Sequence, residues 1–209
     1  MTAQQEDRFT WDPVDDPIPD LLANSGTFYA LVGLIVPPNL TAPGGHVEVL
    51  VTDHHVLQFP PESRPFLTFF SKLREREYAT SWLRDSGAPA DALSHLSERG
   101  NLAEIFVSND ATSVTFPSGL HLVPTSIVWS GSVDVACLTP GRALNSEVYA
   151  AGNVVAQLLF DQKEHEDLNT AITRIAAENE VEKQVVCLQL AIHLPSLLAG
   201  DYAYIRHVE

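Results

Sequence analysis

Hydrophobic positions along the chain change their period in a regular order. From Thr27 to Val36 the residues Phe28, Tyr29, Leu31, Val32, Leu34, Ile35 and Val36 make a β-prone run. Pro37-Pro38 stops it, because proline supplies no ladder donor. His46–Val51 then alternates, with Val47, Val49 and Val51 on one face and Glu48 on the other, and His55–Phe59 alternates again after the turn at Asp53-His54. These strands predict a meander. The period next lengthens to that of a helix: Phe66, Phe69, Phe70 and Leu73 fall at i, i+3, i+4 and i+7, behind a Ser63 cap and with Pro65 in the first turn. A second short helix over Glu77–Asp85 buries Trp82 and breaks at Ser86-Gly87. A third, Ala90–Arg99, buries Leu93 and Leu96 and ends at Gly100, which can take the left-handed conformation after a helix. Leu102–Val107 and Ser113–Phe116 flank a polar turn and predict a hairpin.

The second half plays the same order. Strands are predicted at Leu120–Val123, Ile127–Trp129, Val133–Leu138 and Ala143-Leu144, followed by a cap at Asn145 or Ser146. Val148, Gly152, Val155 and Leu159 line a first helix; Leu168, Ile172 and Ile175 line a second, capped by Asp167. A third helix runs from Val181 to His193 and stops at Pro195 and Gly200, before a closing strand over Tyr202–Val208. Identities follow the pattern. Gly33-Leu34-Ile35-Val36-Pro37 echoes Gly119-Leu120-His121-Leu122-Val123-Pro124, and Val47-Glu48-Val49 echoes Val133-Asp134-Val135. Gly33 to Gly119 and Val47 to Val133 both span 86 positions; Gly100 and Ile105 match Gly200 and Ile205 at 100. Order, element type and helix stripes together predict an internal duplication. The expected organisation is an acidic extended arm over 1–26 and two units over 27–112 and 113–209. Trp11 and the Ile18–Leu22 segment are expected to dock the arm on the body.

The fold class that follows is α+β: two tandem winged-helix-like units, each a short meander, three helices and a hairpin or strand. The residues Val47-Glu48-Val49, His55–Phe59, the Phe66–Leu73 helix and the Leu93–Gly100 helix end resemble the small PqqD-like fold, the recognition element of ribosomal peptide-modifying pathways. That resemblance spans roughly 80 residues in each half, with no diagnostic signature. It departs from the family in the doubling, in the acidic arm and in the lack of a fused enzyme domain. It implies a module that adds an extended peptide to a sheet edge, with backbone hydrogen bonds for affinity and alternate pockets for selectivity. The receiving edge would be His55, Val56, Leu57, Gln58 and Phe59, and Leu93 and Leu96 would floor the groove.

Charge sharpens this reading. The chain carries 27 acidic and 12 basic residues, a net charge of -15. A chain this acidic repels a phosphate backbone unless its basic groups cluster, and Lys72, Arg74 and Arg76 are interleaved with Glu75 and Glu77. The expected partner is therefore a peptide or protein with basic residues, and nucleic acid is disfavoured. A winged-helix transcription regulator is the alternative, but the third helices offer only Arg99 in one half and Lys183, Gln184 and Gln189 in the other. An acidic adaptor that bridges other proteins is a further alternative.

Candidate chemistry is sparse. No nucleophile elbow, phosphate loop or dinucleotide fingerprint is present, so no catalytic residue and no cofactor are expected. Asp53-His54-His55 with His46 has the flavour of a metal site, but adjacent strand residues point to opposite faces, and no metal is expected. Glu164-His165-Glu166-Asp167 reads as the solvated start of a helix, favoured there by the helix dipole. His193 reads as a structural histidine near a helix C-terminus, and Trp82 with Phe66, Phe69 and Phe70 as core. Cys137 and Cys187 sit in apolar surroundings without a Cys-x-x-Cys pattern and are expected to be buried free thiols in a reducing cytoplasm. Residues 1–20 lack the basic and apolar regions of a signal peptide, and no apolar run approaches the roughly 20 residues of a membrane span.

Overall fold

The computed structural model describes residues 21, 23–36, 48–51, 56–59, 63–108, 113–131, 135–140, 149–200 and 202–208. The chain folds as an α+β protein with six helices among the described residues and antiparallel sheets. The first half contains β1 (Gly26–Leu31), β2 (Leu34–Val36), β3 (Glu48–Val51), β4 (Val56–Phe59), α1 (Arg64–Phe70), β5 (Arg74–Glu75), α2 (Arg76–Asp85), α3 (Ala92–Glu98), β6 (Leu102–Val107) and β7 (Val114–Thr115). The second contains β8 (Leu120–Pro124), β9 (Ser126–Gly131), β10 (Val135–Pro140), β11 (Tyr149–Gly152), α4 (Asn153–Phe160), α5 (Leu168–Glu178), α6 (Lys183–Ala199) and β12 (Ala203–His207).

Both halves follow one order: an opening strand, a three-stranded meander, three helices and a closing strand antiparallel to the first. β1 pairs with β6 from Gly26↔Val107 to Leu31↔Leu102, and β8 pairs with β12 from Leu120↔His207 to Pro124↔Ala203. The meanders are β2-β3-β4 and β9-β10-β11. Only the first half adds flanking strands among the described residues, β5 against β1 and β7 against β6. The expected boundary at 112/113 thus falls within the β6–β7 hairpin.

Topology corrects the echo between the two glycine-led runs. Phe28 lies opposite Ile105, and Leu122 lies opposite Ile205. β8 is therefore the counterpart of β1, and Gly119 precedes its strand, whereas Gly33 follows β1 and separates it from β2. The apolar run Thr27–Val36 is two strands, broken where Gly33 adopts φ 123°. The other echo holds: Gly100 and Gly200 each follow the third helix of their half and precede its closing strand.

Two elements of the second half also differ from expectation. The strand before α4 is Tyr149–Gly152, and Gly152 is the helix N-cap, so it does not lie on the helical stripe. Tyr-Ala-Ala-Gly carries little strand propensity; pairing with β10, from Val135↔Gly152 to Leu138↔Tyr149, overrides it. Ala143-Leu144, Asn145, Ser146 and Val148 lie outside the described residues. α6 runs through Pro195 to Ala199. Proline forfeits one intrahelical bond there, but Leu194, Leu197 and Leu198 are buried around it, and packing maintains the helix.

The apolar interior is divided in two by β1. Its alternation sends Phe28, Ala30 and Val32 into a larger core with β8, β12 and α4–α6, and Tyr29 and Leu31 into a smaller core with α1–α3. β6 divides likewise, Ala103, Ile105 and Val107 facing the larger core and Leu102 the smaller. β1 is therefore buried on both faces from Phe28 to Leu31 and closes the core of the second half, whereas β6 exposes Glu104 and Phe106 on its other face. Leu21, 1% exposed, enters the larger core as well, which meets the expected docking of the arm at that residue; Trp11 and residues 1–20 lie outside the described residues.

Candidate functional site

β4 is the outer strand of its sheet among the described residues. β4 pairs with β3 from Glu48↔Phe59 to Val51↔Val56, and among the described residues no strand pairs with its other side. Val56, Leu57, Gln58 and Phe59 all lie in β4, whereas His55 falls outside the described residues. Leu57 is half-buried against the smaller core, and Gln58 is exposed. The two expected floor residues divide. Leu93, 7% exposed, holds α3 onto the core, where α3 meets α2 and β6. Leu96 is half-buried and lines an open cavity of about 380 Å³ together with Phe66, Leu83, Ala88 and Pro89. Asp91, His95 and Arg99 rim it, with His95 Nε2 3.0 Å from Asp91 Oδ2. Leu57, Phe66, Ala88, Ala92 and Leu96 thus form the half-buried flank of one core.

That core is aromatic. Phe69 stacks on Trp82 at 4.2 Å and meets Phe70 edge-on at 4.9 Å. Buried Arg74 donates from Nε to the Phe69 carbonyl at 2.7 Å, and its guanidinium lies 4.4 Å from the Phe69 ring centroid. The aromatic group is packing, as its helical spacing predicts.

The Glu164–Asp167 segment is less solvated than expected. The Glu166 side chain is 7% exposed and accepts from Arg174 Nε and Nη2, both at 2.9 Å. Arg174 also donates from Nη1 to Glu178 at 3.1 Å and from Nη2 to the Asp161 carbonyl at 2.9 Å. These bonds from Arg174 hold the Glu166 carboxyl below its ordinary range, and the two carboxylates raise the Arg174 pKa in turn. Asp167 caps α5 by accepting from Thr170 N–H at 2.8 Å, and accepts from Gly119 N–H at 3.2 Å. Burial pushes Asp167 upward, but these hydrogen bonds outweigh it and the pKa falls. His121 Nδ1 donates to the Glu166 carbonyl at 2.9 Å, and Leu122 N–H donates to Gln162 Oε1 at 3.3 Å. The α4–α5 loop therefore clips onto β8, a structural role that sequence spacing did not reveal.

Other candidates resolve plainly. Burial lowers the His193 pKa; the residue sits inside α6, six positions before its last residue, and the expected benefit of the helix terminus does not reach it. Cys187 is free and buried, and burial raises its pKa. Among the described residues no three His, Cys, Asp or Glu side chains are grouped to hold a metal ion, and no helix is long and apolar enough to cross a membrane. His46, Asp53, His54 and His55 lie outside the described residues.

One feature escaped the sequence reading. From Gln184 to Gly200 the chain has no charged residue other than the titratable His193, yet α6 exposes part of its apolar surface: Val185 is 43% and Ile192 50% exposed. The signal was visible as an uncharged run in a strongly acidic chain. Comparison with known proteins adds no family, since no family model, no curated protein and no solved structure matches the chain.

Proposed function

We propose that this chain is a non-enzymatic peptide- or protein-binding module of two winged-helix-like units in the PqqD-like manner, acting in the cytoplasm. Its β4 edge takes up an extended segment, in the way that a precursor peptide is presented to a modifying enzyme. The observation that carries the reading is the side of β4 that no strand pairs with among the described residues, set on the same core as the open cavity beside Leu96. A strand added there gains backbone hydrogen bonds along β4, and an apolar side chain has Phe66, Leu83 and Leu96 to pack against. The net charge of -15 favours a basic partner, through encounter rate more than tight pairing.

The test is a titration of the full chain against its operon-encoded peptides and, in parallel, against duplex DNA at low salt. Peptide binding should be abolished by Val56→Pro or Gln58→Pro while circular dichroism and melting remain close to the parent. A peptide N-methylated at alternate residues should fail on the unaltered protein. Binding that survives these changes overturns strand addition at β4, and DNA binding that falls steeply with salt overturns the peptide reading altogether.

A further inference from the structure

We infer that the second half carries its own peptide-docking face, formed by the exposed stripe of α6 beside the outer strand β11, and that it accepts an extended apolar segment bearing basic residues. This goes beyond the β4 reading and stands or falls separately.

The stripe comes first. Val185, Gln189 and Ile192 stand at i, i+4 and i+7 of α6, all exposed, with half-exposed Leu188 beside them. Val181, 38% exposed just before the helix, extends the apolar surface. Three of the six large apolar side chains exposed among the described residues therefore belong to this one segment. The opposite side of α6 is already buried through Val186, Leu190, Leu194 and Leu197. A helix apolar on both sides belongs in an interior, and here one side has no cover among the described residues.

The strand edge defines the occupant's backbone. β11 is the outer strand of the β11-β10-β9 sheet, and among the described residues it pairs only with β10. Its last residue borders the middle of the stripe: a Cβ on Gly152 would stand 3.9 Å from Gln189 Oε1. An extended segment satisfies both requirements, with backbone bonds to β11 and alternate side chains over Val185 and Ile192.

Charge defines the rest. Exposed Glu180 and Glu182 flank Lys183 at the N-terminal end of the stripe, and Glu178 is engaged by Arg174. Lys or Arg in the occupant complements that end and the net charge of -15. The chain's own residues 1–20 fit poorly, because they carry Glu6, Asp7, Asp12, Asp15, Asp16 and Asp20 against Arg8 alone.

The probe is a fluorescein-labelled decapeptide of alternating valine and lysine, titrated against the full chain by anisotropy. Saturable binding is expected to persist in Gln58→Pro, whose β4 edge is blocked, and in that background to weaken at least about tenfold with the double change Val185→Gln and Ile192→Gln. Both replaced side chains are exposed, so melting should not change. A decapeptide with glutamate in place of lysine should bind far more weakly. Benzoylphenylalanine in place of Ile192 then reports what covers the stripe. Crosslinking to the decapeptide is expected; crosslinking to a second copy, to residues 1–20 of the same chain, or to nothing overturns the proposal. So does decapeptide binding that the double change leaves intact in the Gln58→Pro background.

Discussion

The third helix of each half occupies the same place in the order of elements, yet the two are built for different surroundings. α3 has seven residues, buries Leu93, and turns Ser94, His95 and Glu98 outward. α6 has 17 residues, buries eight of them, and carries no charge after Lys183. α3 is a short cover on a small aromatic core, whereas α6 packs against a core supplied by both halves. A shared order of elements therefore does not make the halves equivalent. Which core an element serves sets its length and composition, because a longer helix is stabilised only by the apolar surface it can bury.

The comparison breaks most sharply at β1, whose two faces belong to different cores. Phe28→Ala opens the larger core and should cost about 3–5 kcal/mol, and Phe69→Ala a similar amount in the smaller. If β1 binds the cores into one cooperative unit, urea unfolding of both variants should remain a single transition, coincident by far-UV dichroism and tryptophan fluorescence. Separate transitions in Phe69→Ala would show the first half melting alone.

The loop clip comes next in size. Arg174→Met leaves Glu166 buried without its cation and should cost about 3 kcal/mol, measured by the denaturation midpoint at neutral pH. The folded-state pKa of Glu166 is lowered, so its contribution is present above the ordinary value of 4.5 and lost as pH falls through the folded value. The difference between parent and variant should therefore narrow in acid.

The paired glycines give a smaller contrast. Gly100→Ala must hold a left-handed φ of 71° and should cost about 1–2 kcal/mol. Gly200 has an ordinary φ of -94°, but an added Cβ would overlap the buried Tyr202 ring, so Gly200→Ala should cost about 1–3 kcal/mol through overpacking. Equivalent positions thus differ in what they ask of glycine: a left-handed backbone, with a Cβ that the His207 ring would have to clear, at 100, and space beside the Tyr202 ring, with an ordinary backbone, at 200. Asparagine tests this, since it tolerates the left-handed region and should be milder than alanine at position 100 but not at 200.

His193 is expected to have the smallest effect. Its folded pKa lies below the ordinary 6.5, so below that pH the unfolded chain binds protons more readily and stability declines until the folded pKa is reached. His193→Gln should flatten the stability profile in that window, and a profile that the substitution leaves unchanged would overturn this account of the buried imidazole.

Much of the architecture was determined by sequence alone, because it rests on local physics. The helical stripe at Phe66, Phe69 and Phe70, the Asp167 cap of α5, the left-handed Gly100 and the β6–β7 hairpin all follow from periodicity, side-chain hydrogen bonding and backbone sterics within a few residues. The order β2-β3-β4, with β4 outermost among the described residues, follows from a meander of three short strands. Other features depended on partners distant in the chain, and only the tertiary structure decided them. Gly33 divides an apparently continuous β-prone run because β1 and β2 join different sheets. Tyr149–Gly152 becomes a strand through β10, and α6 passes Pro195 because Leu194 and Leu197 find a core. Leu93 and Leu96 look alike on a helical wheel, yet one is interior and the other borders an open cavity. The burial of Glu166 required Arg174, and the two-faced burial of β1 required the whole second half. Periodicity identifies which side chains must leave water, but it does not say which of two cores receives them.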